Sequence, residues 1–499
     1  MKRLLPAAIL ICCIYLPMIS QDTTPEEDFY DADFFYTETE DYVEAAHLYK
    51  KVLLKEPKNA NVKFLLGICY NNIMGQELEG IPYLLEATQD INLKYKARRF
   101  TEKKAPHHSW FYLAEAYRKT NQMDKALDAL DEFASVKNFE KMYNVRITED
   151  ETKAVERAKI IRDAELNVRA LYFNEPINTP DNDYNGVISA NGKMMVWVNT
   201  KTFYEAVYMS TREGTNWSVP VLITPQIVSD GDLFPTGLSA DGTTLLMVKR
   251  DRRGNSDIWY SRFDGMLWSP AQALHGEINT NSEEDHASFS PDGERIYLSS
   301  DRRGGAGGLD IFYSDRQPDG QWGEPVNMGE QINTDKDETS AYITPDGKRF
   351  IFSSRGHFNM GGFDIFRCEL QDDGTWSQPT NIGYPINTTG DNSYYVPLND
   401  GLSGLYTRFT NDAIGMQDLW YVEIRGEEGF VSGGLSMIAD AVKPAEVEPV
   451  GLTNKDFVII VVDETTGEEI EVLYNAETDT FKALAGPNKT YRVISYKQK

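Results

Sequence analysis

Cysteine is scarce in this chain of 499 residues, which contains only Cys12, Cys13, Cys69 and Cys368. The first two lie in an apolar N-terminal run that is typical of a cleaved leader, so the mature chain keeps two isolated thiols. These two fall in different predicted domains. Two separated thiols provide neither a disulfide framework nor a cysteine-based zinc site.

Basic residues are also in the minority. The chain has 50 Lys and Arg residues against 77 Asp and Glu residues, which gives a formal net charge of -27 at pH 7. Nucleic acids and anionic lipids are both bound through basic surfaces, so this balance argues against either as a main partner. The charge fits a soluble protein, or one whose protein partner is basic.

Long apolar runs are absent after the first twenty residues, and residues 1–20 resemble a signal peptide. Lys2 and Arg3 form a charged start, the stretch 4–19 is apolar, and the small residue Ser20 precedes a plausible cleavage point. The sequence therefore predicts an exported protein.

Two alternatives for this N-terminal run are a membrane anchor and a lipoprotein signal. The run is short for a membrane span and contains Pro6 and Pro17, which argues against the anchor. Ile11 and Cys12, the residues that precede the two cysteines, are not the small residues that a lipoprotein signal requires.

Catalytic motifs are the last notable absence. The sequence has no Gly-x-Ser-x-Gly elbow, no His-Glu-x-x-His pair and no phosphate-binding loop. The six histidines are scattered, and only His107 and His108 are adjacent, which is poor spacing for a metal site on a helix. Asp319–Trp322 and Asp373–Trp376 are similar to sialidase Asp boxes, but the spacing is one residue short. We therefore expect no enzyme activity, no metal and no cofactor.

A repeated unit of about fifty residues dominates the rest of the chain, with five copies between Ile177 and Glu423. Each copy starts with Ile-Asn-Thr or a relic of it, turns at Asp-Gly or Asn-Gly, and then shows an acid followed by apolar and aromatic residues. The copies start at Ile177, Ile227, Ile278, Ile332 and Ile386, and the recurring acids are Glu205, Asp257, Asp310, Asp364 and Asp418. A fixed period filled with short strands predicts a five-bladed β-propeller over residues 173–424.

Helical periodicity precedes the propeller. Residues 22–138 contain three segments that match the tetratricopeptide pattern, with small residues such as Ala45, Gly67 and Ala114 where paired helices approach closely. Such an array has a groove that holds partner peptides, although these helices could instead only brace the propeller. An insertion over 92–108 is interpreted as a lengthened helix followed by a loop.

Residues 139–172 are predicted to form a connector helix. Thr148 and Glu151 have the spacing of a capping box, and an apolar stripe follows at helical spacing, which predicts one long helix over 148–171.

The turn segments of the propeller resemble a known family. Ser290–Gly293 and Thr344–Gly347, each followed by a strand ending in Ser-Ser, are similar to WD40-like PD40 repeats. Tetratricopeptide repeats before a PD40 propeller resemble the PorE-type periplasmic proteins of Bacteroidota, which are associated with type IX secretion and gliding machinery. The resemblance implies a carboxypeptidase-regulatory-like β-sandwich over 425–499, followed by an OmpA-like domain. The chain stops at Lys499, where the OmpA-like domain would begin, so peptidoglycan binding by this chain is not predicted.

The predicted fold is thus multidomain, with an all-α tetratricopeptide array, an all-β five-bladed propeller and a small β-sandwich. The resemblance implies a non-enzymatic periplasmic scaffold whose partners are proteins of an outer-membrane complex, in secretion or gliding. The alternatives are a propeller that senses a ligand and, more weakly supported, a propeller glycoside hydrolase.

Acids cluster just before the innermost strand of every predicted blade, and equivalent positions around a propeller form a ring. We predict an acidic rim at one mouth of the central channel that binds a basic segment or a cation, unless its charges are only solvated loop residues. The rim residues are Asp181, Asp183, Asp230, Asp232, Glu283, Glu284, Asp285, Asp335, Asp337, Glu338 and Asp391. The recurring acid of the third strand is instead predicted to be architectural, because it accepts hydrogen bonds from the preceding loop or pairs with an Arg such as Arg302 or Arg355.

Overall fold

The computed structural model describes residues 23–173, 175–214, 216–251, 255–275, 277–408 and 414–425, and the backbone of five strands between 457 and 497. The predicted signal peptide lies outside these residues. Within the described ranges, no helix is both long enough and apolar enough to cross a membrane. The chain divides into two compact units, residues 1–152 and 153–499.

The first unit is built from helices that pack in consecutive pairs, α1 with α2, α3 with α4, and α5 with α6. The helices are α1 Pro25–Phe34, α2 Tyr42–Lys55, α3 Ala60–Asn71, α4 Glu77–Ala87, α5 Ser109–Lys119, α6 Met123–Ala134 and α7 Phe139–Met142. The pairs approach closely where the sequence has small residues: a Cβ added to Gly67 would lie 2.5 Å from Cγ of Leu84. Paired helices agree with the predicted array, and the tetratricopeptide assignment itself stays a prediction.

The insertion after α4 has no lengthened helix, contrary to our expectation, because α4 ends at Ala87. The segment is a closed loop instead. Its ends are joined by two backbone hydrogen bonds, from Asn92 N–H to the Ala105 carbonyl (2.8 Å) and from Ala105 N–H to the Asp90 carbonyl (2.9 Å). The helical periodicity of the sequence did not extend far enough to distinguish a helix from a loop of this kind.

The predicted connector helix is partly wrong. Helix α8 covers Val145–Asp163, and residues 167–172 form a β-strand rather than the end of the helix. This strand belongs to the propeller, so the propeller starts earlier than the predicted residue 173. Apolar and polar residues alternate only over Asn167–Ala170, because Leu171 and Phe173 are apolar, and this pattern is too short to reveal a strand beside a helix.

The second unit contains the five-bladed β-propeller. Each blade is an antiparallel sheet whose strands follow one another outwards from the axis, except that β1 is the outer strand of blade 5. The strands are β1 Asn167–Tyr172, β2 Asp183–Ile188, β3 Met194–Thr200, β4 Glu205–Glu213, β5 Asn216–Trp217, β6 Val221–Leu222, β7 Leu233–Leu238, β8 Thr244–Arg250, β9 Ser256–Arg262, β10 Gln272–Ala273, β11 Glu284–Phe289, β12 Arg295–Ser300, β13 Asp310–Asp315, β14 Val326–Asn327, β15 Glu338–Ile343, β16 Arg349–Ser354, β17 Asp364–Glu369, β18 Thr380–Asn381, β19 Val396–Leu398, β20 Ser403–Arg408 and β21 Asp418–Arg425.

Strand β1 closes the ring. It pairs antiparallel with β21, and Ala170 lies opposite Val422. The N-terminal end of the propeller thus completes the last blade, so the two ends of the ring are held together by the backbone hydrogen bonds of one sheet. Each blade still ends in an outer edge strand, and in blades 2, 3 and 4 this strand is only two residues long.

An asparagine, buried in blades 1, 4 and 5 and partly buried in blade 3, joins four of the five blades to the preceding one. In four of the five copies, the Asn of Ile-Asn-Thr exchanges two hydrogen bonds with the backbone of the residue that follows the third-strand acid in the preceding blade. For Asn333 and Ile311 these bonds measure 2.8 Å (Ile311 N–H to Asn333 Oδ1) and 2.9 Å (Asn333 Nδ2 to the Ile311 carbonyl). The other pairs are Asn178 with Leu419, Asn279 with Ile258, and Asn387 with Ile365.

The second copy has Val228 in place of this asparagine. Here Thr224 takes over part of the role, since its hydroxyl accepts a hydrogen bond from Val207 N–H at 2.7 Å. Val207 pairs with Val198 as Ile258 pairs with Val248, so the two are equivalent in register, one residue later than Glu205 would suggest. The same backbone position is therefore satisfied by a different residue type, so the requirement lies in the backbone of the third strand.

The described C-terminal strands form a three-stranded sheet and a separate two-stranded ribbon. They are β22 Phe457–Asp463, β23 Glu469–Ile470, β24 Val472–Asn475, β25 Thr480–Ala483 and β26 Tyr491–Lys497. Strands were predicted here, and the regulatory-like sandwich stays a prediction.

We predict that Asn333→Ala destabilises the propeller, because it leaves the buried N–H of Ile311 without a partner and removes one of the two hydrogen bonds to the Ile311 carbonyl, which keeps only the bond from Met328 N–H. The cost should be about 2–4 kcal/mol, in line with the loss of two hydrogen bonds to buried groups. Urea unfolding followed by tryptophan fluorescence measures it. Asn281→Ala is the control, since Asn281 is exposed. Equal unfolding midpoints for the two variants would contradict the role of the asparagine.

Candidate functional site

Three of the predicted rim acids are not on a rim. Asp183, Glu284 and Glu338 are all completely buried, and the prediction that they contact a partner is wrong. Each accepts hydrogen bonds from the N–H and hydroxyl of the Thr four residues earlier. In the case of Glu338 these come from Thr334, at 2.8 Å and 2.7 Å. The acid thus fixes the loop that leads into the inner strand.

The three buried acids differ in their other partners. Glu284 also lies 3.1 Å from Nη2 of Arg302. Glu338 accepts a further hydrogen bond of 2.6 Å from the Ser354 hydroxyl, and in the described part of the chain it pairs with no Lys or Arg. Burial without a guanidinium partner raises the pKa of Glu338 to about 7.

A second group of rim acids accepts hydrogen bonds from the preceding blade. Asp337 accepts a hydrogen bond from Leu309 N–H at 3.1 Å, and Asp391 accepts one from Phe363 N–H at 2.8 Å. Glu283 is placed equivalently, with its carboxylate 3.4 Å from the Ser256 hydroxyl. These acids are partly exposed, so a partner can contact them. They would keep their structural hydrogen bonds to the preceding blade at the same time.

The remaining rim acids surround the mouth with fewer structural bonds. Asp181 pairs with Lys201 and Asp232 with Lys249, each at 3.0 Å. Asp230 and Asp335 are exposed. The exposed carboxylates are therefore spread over blades 1, 2 and 4, with Asp391 on blade 5.

The recurring third-strand acid has the architectural role that the sequence predicted for it, at least in three blades. Oδ2 of Asp310 accepts a hydrogen bond of 2.6 Å from Ala306 N–H, and Asp364 and Asp418 accept equivalent bonds from Met360 and Ile414. The suggested pairing with arginine is wrong, since Arg302 pairs with Glu284 and Arg355 with Asp391.

The channel axis holds a cluster of polar and aromatic side chains that the sequence analysis missed. Asp285, the second residue of the inner strand β11, lies 3.3 Å from the Thr339 hydroxyl and 3.5 Å from Nη2 of Arg250. The guanidinium carbon of Arg250 is 5.9 Å from the ring centre of Phe234. Tyr394 completes this group, since Asp285 and Arg250 both act on its hydroxyl.

Below Asp285 the axis is crossed by a chain of hydrogen bonds. The His286 ring lies 5.7 Å from that of Tyr394, and His286 Nε2 is 3.0 Å from the Tyr342 hydroxyl. That hydroxyl donates a hydrogen bond of 2.8 Å to the Thr236 carbonyl. Inner strands of blades 2, 3 and 4 are therefore linked across the axis. Burial lowers the pKa of His286 to about 3, so the ring is neutral at physiological pH.

The inner strands are irregular at this level. Their register shifts by a bulge in the first four blades, and Asn185, Ser340 and Tyr394 have positive φ angles of 49°, 53° and 58°. Bulges re-aim side chains, and such conformations in residues other than glycine cost free energy. The structure thus maintains a strained backbone where the axial cluster lies.

The other side of the His286–Tyr342 bridge is apolar. A cavity of about 50 Å³ there is lined by Val187, Leu238, Phe289 and Val396, with Tyr342 on its wall. This volume suits one or two water molecules rather than a ligand.

A repeat-by-repeat comparison of the sequence would have detected the axial cluster. At the residue after the buried acid position, the five copies have Tyr184, Phe234, Asp285, Thr339 and Ser393. The preceding position is an acid in three copies, whereas this position and the one after it differ in every copy. Positions that recur are fixed by the blade, and those that vary are left for another role.

Among the described residues, no group of three or more His, Cys, Asp or Glu side chains is arranged to hold a metal ion. Both thiols, Cys69 and Cys368, are buried and separate, and burial raises the pKa of each to about 12.

Comparison with known proteins identifies no family. No family model matches the chain, and no curated protein matches it either. Solved structures with a similar fold include TolB from Acinetobacter baumannii, with 16% identity and a TM-score of 0.32 over 50% of this chain and 55% of that chain. The chain therefore spans about half of the length of that protein.

Other similar structures are enzymes. An alpha-L-arabinofuranosidase from Podospora anserina has 12% identity and a TM-score of 0.34, over 50% of this chain and 93% of that chain. A thermostable family-43 glycoside hydrolase has 16% identity and a TM-score of 0.35, over 52% and 94%. At these scores the likenesses support no conclusion about function, and the five-bladed propeller rests on its own strands.

We predict that Glu338→Gln removes a pH dependence of stability. The pKa of Glu338 is about 7 in the folded state and near its usual 4.5 when unfolded, so the folded state binds the proton more tightly. Its contribution is complete below about pH 4.5 and is lost as the pH rises through 7. The stability of Glu338→Gln relative to the unmodified protein should therefore rise by roughly 2 kcal/mol between pH 5 and pH 8.

Urea unfolding at a series of pH values measures this difference. The matched control is Glu330→Gln, which changes an exposed acid nearby. If the Glu338→Gln and unmodified curves remain parallel over this pH range, the carboxyl group does not titrate as described.

Proposed function

We propose that this protein is a non-enzymatic scaffold of the bacterial envelope, and that the acidic mouth of its propeller binds a basic segment of a partner protein. The observation that carries the proposal is the distribution of charge at the mouth. Asp183, Glu284 and Glu338 are buried and bonded within the blades. Exposed carboxylates remain at the mouth on blades 1, 2 and 4, such as Asp181, Asp230 and Asp335. A ring of like charge around one opening attracts a segment of the opposite sign.

Export and the envelope location rest on the sequence of residues 1–20 and on the family resemblance. The resemblance to PorE-type proteins favours partners in an outer-membrane secretion or gliding complex. The paired helices of the first unit offer a second surface for such partners, as helical arrays commonly do.

A ligand-sensing propeller is the second candidate, and the axial cluster around Asp285 favours it over a glycoside hydrolase. A glycosidase needs two carboxyl groups placed on either side of a bond. The acids of the mouth are instead mostly engaged with backbone N–H groups or with Lys and Arg.

We predict that the triple replacement Asp181→Lys, Asp230→Lys and Asp335→Lys lowers capture of partner proteins by about tenfold at low salt, because it reverses the charge of the mouth. Tagged protein is exposed to envelope fractions, and the bound proteins are quantified by mass spectrometry. The difference should shrink in high salt, where exposed charges are screened.

The control is Glu324→Lys, Glu330→Lys and Asp372→Lys, which makes the same change in net charge at exposed positions away from the mouth. Partners that are lost from the first variant and kept by the second bind at the mouth. Equal capture by the two variants at low salt would refute the proposal.

A further inference from the structure

The axial cluster has an acceptor that nothing in the described residues satisfies. Nδ1 of His286 is completely buried and has no hydrogen-bond partner there. The Tyr342 hydroxyl donates its one hydrogen to the Thr236 carbonyl, so His286 Nε2 must carry the proton that bridges to the Tyr342 oxygen. In this neutral ring Nδ1 is therefore a bare lone pair, which requires a donor.

The negative charge around Nδ1 of His286 also favours a positively charged donor. Asp285 is adjacent in the chain, and Glu283 and Glu205 act on the same neighbourhood. Burial and the nearby Asp285 raise the pKa of Glu283, which is the response of a carboxyl group that lacks enough positive charge. Among the residues that the structure describes, Arg250 is the cation that acts on Tyr184, Glu283 and Tyr394.

Aromatic rings complete the surroundings. Tyr184 and Phe234 lie in the inner strands β2 and β7, Tyr394 lies just before the inner strand β19, and all three are half-buried near Arg250. Aromatic faces combined with a carboxylate are a common arrangement for binding organic cations. Guanidinium groups are donor-only, so they match both Asp285 and the lone pair of His286.

Arg250 itself is held loosely in this arrangement. Its side chain is 60% exposed, and its distance of 3.5 Å from Asp285 is long for a charged hydrogen bond. Asp285, by contrast, has a side chain only 15% exposed, and a carboxylate so enclosed needs a counter-charge. The chain thus supplies only a weak internal cation to the Asp285 carboxylate.

We propose that this axial site binds the guanidinium group of an arginine side chain inserted by a partner, and that Arg250 fills the site loosely until the partner displaces it. The inference deepens the proposed function, because it names the group that enters the mouth, and it rests on that function for the identity of the partner as a basic segment. The acidic rim attracts the basic segment of the partner, and the axial site binds one arginine side chain of that segment.

The probe is N-acetylarginine amide, titrated into the full-length protein at low salt and followed by calorimetry. N-acetylcitrulline amide has nearly the same shape without the charge. We expect the arginine compound to bind at least about tenfold more tightly than the citrulline compound, since tenfold corresponds to about 1.4 kcal/mol. Equal binding of the two, or no binding of either, would overturn the inference.

Arg250→Ala tests the displacement. It removes the internal competitor, so the arginine compound should bind about three- to tenfold more tightly than to the unmodified protein. Arg262→Ala is the matched control, because it removes one exposed positive charge at the other end of the same blade and should leave the affinity within about twofold. Affinity that is unchanged in Arg250→Ala, or raised equally in both variants, would contradict the role of Arg250.

Asp285→Asn should weaken binding of the arginine compound by about tenfold or more, through loss of the carboxylate. Because these measurements use a small molecule, they separate the two proposals. If the rim replacement fails to lower partner capture while the arginine compound binds as expected, the proposed function fails and the axial site stands. If partner capture depends on the rim but the arginine compound does not bind, the axial inference fails alone.

Discussion

The propeller depends on a single kind of contact, the buried asparagine that exchanges two hydrogen bonds with the third strand of the preceding blade. Sheets pack face to face through apolar side chains, and such packing by itself leaves the relative positions of the sheets loosely specified. A two-point hydrogen bond between Asn333 and Ile311 fixes one blade to the next in both position and orientation. The same contact between Asn178 and Leu419 spans 241 residues of sequence and, with β1, closes the ring.

This constraint explains why so many acids near the mouth are unavailable for binding. The loop that carries the asparagine must be rigid for the contact to form, and Asp183, Glu284 and Glu338 make it rigid by accepting hydrogen bonds from the Thr four residues earlier. Buried carboxylates are costly unless their lone pairs are satisfied, so these side chains are committed to the loop. Recurrence in a repeat is therefore a sign of architecture, and it applies to these acids as much as to Asp310.

Much of the propeller could be predicted from the sequence, because its period, its glycine turns and its alternating strands are local patterns. The number of blades and the loop-bonding role of Asp310, Asp364 and Asp418 are confirmed. The burial of Glu338 was not predicted, since an acid beside other acids looks solvated unless its Thr partner is recognised. The strand at 167–172 was missed because its identity as a strand depends on pairing with β21, which lies more than two hundred residues away.

The sequence did not predict the axial cluster, for a different reason. Three of its members, Tyr184, Phe234 and Asp285, come from one repeat position in three blades, so no short stretch of sequence contains them and only alignment of the repeats brings them together. What they form is suited to binding through charge and shape. His286 stays neutral at physiological pH and is fixed by Tyr342, so its free nitrogen is a stationary acceptor. A stationary acceptor, an enclosed carboxylate and aromatic rings in a closed ring of blades make a preorganised site, which binds without the cost of ordering its own groups. The rigid asparagine contacts thus serve the mouth as well as the fold, because they hold these side chains at one separation.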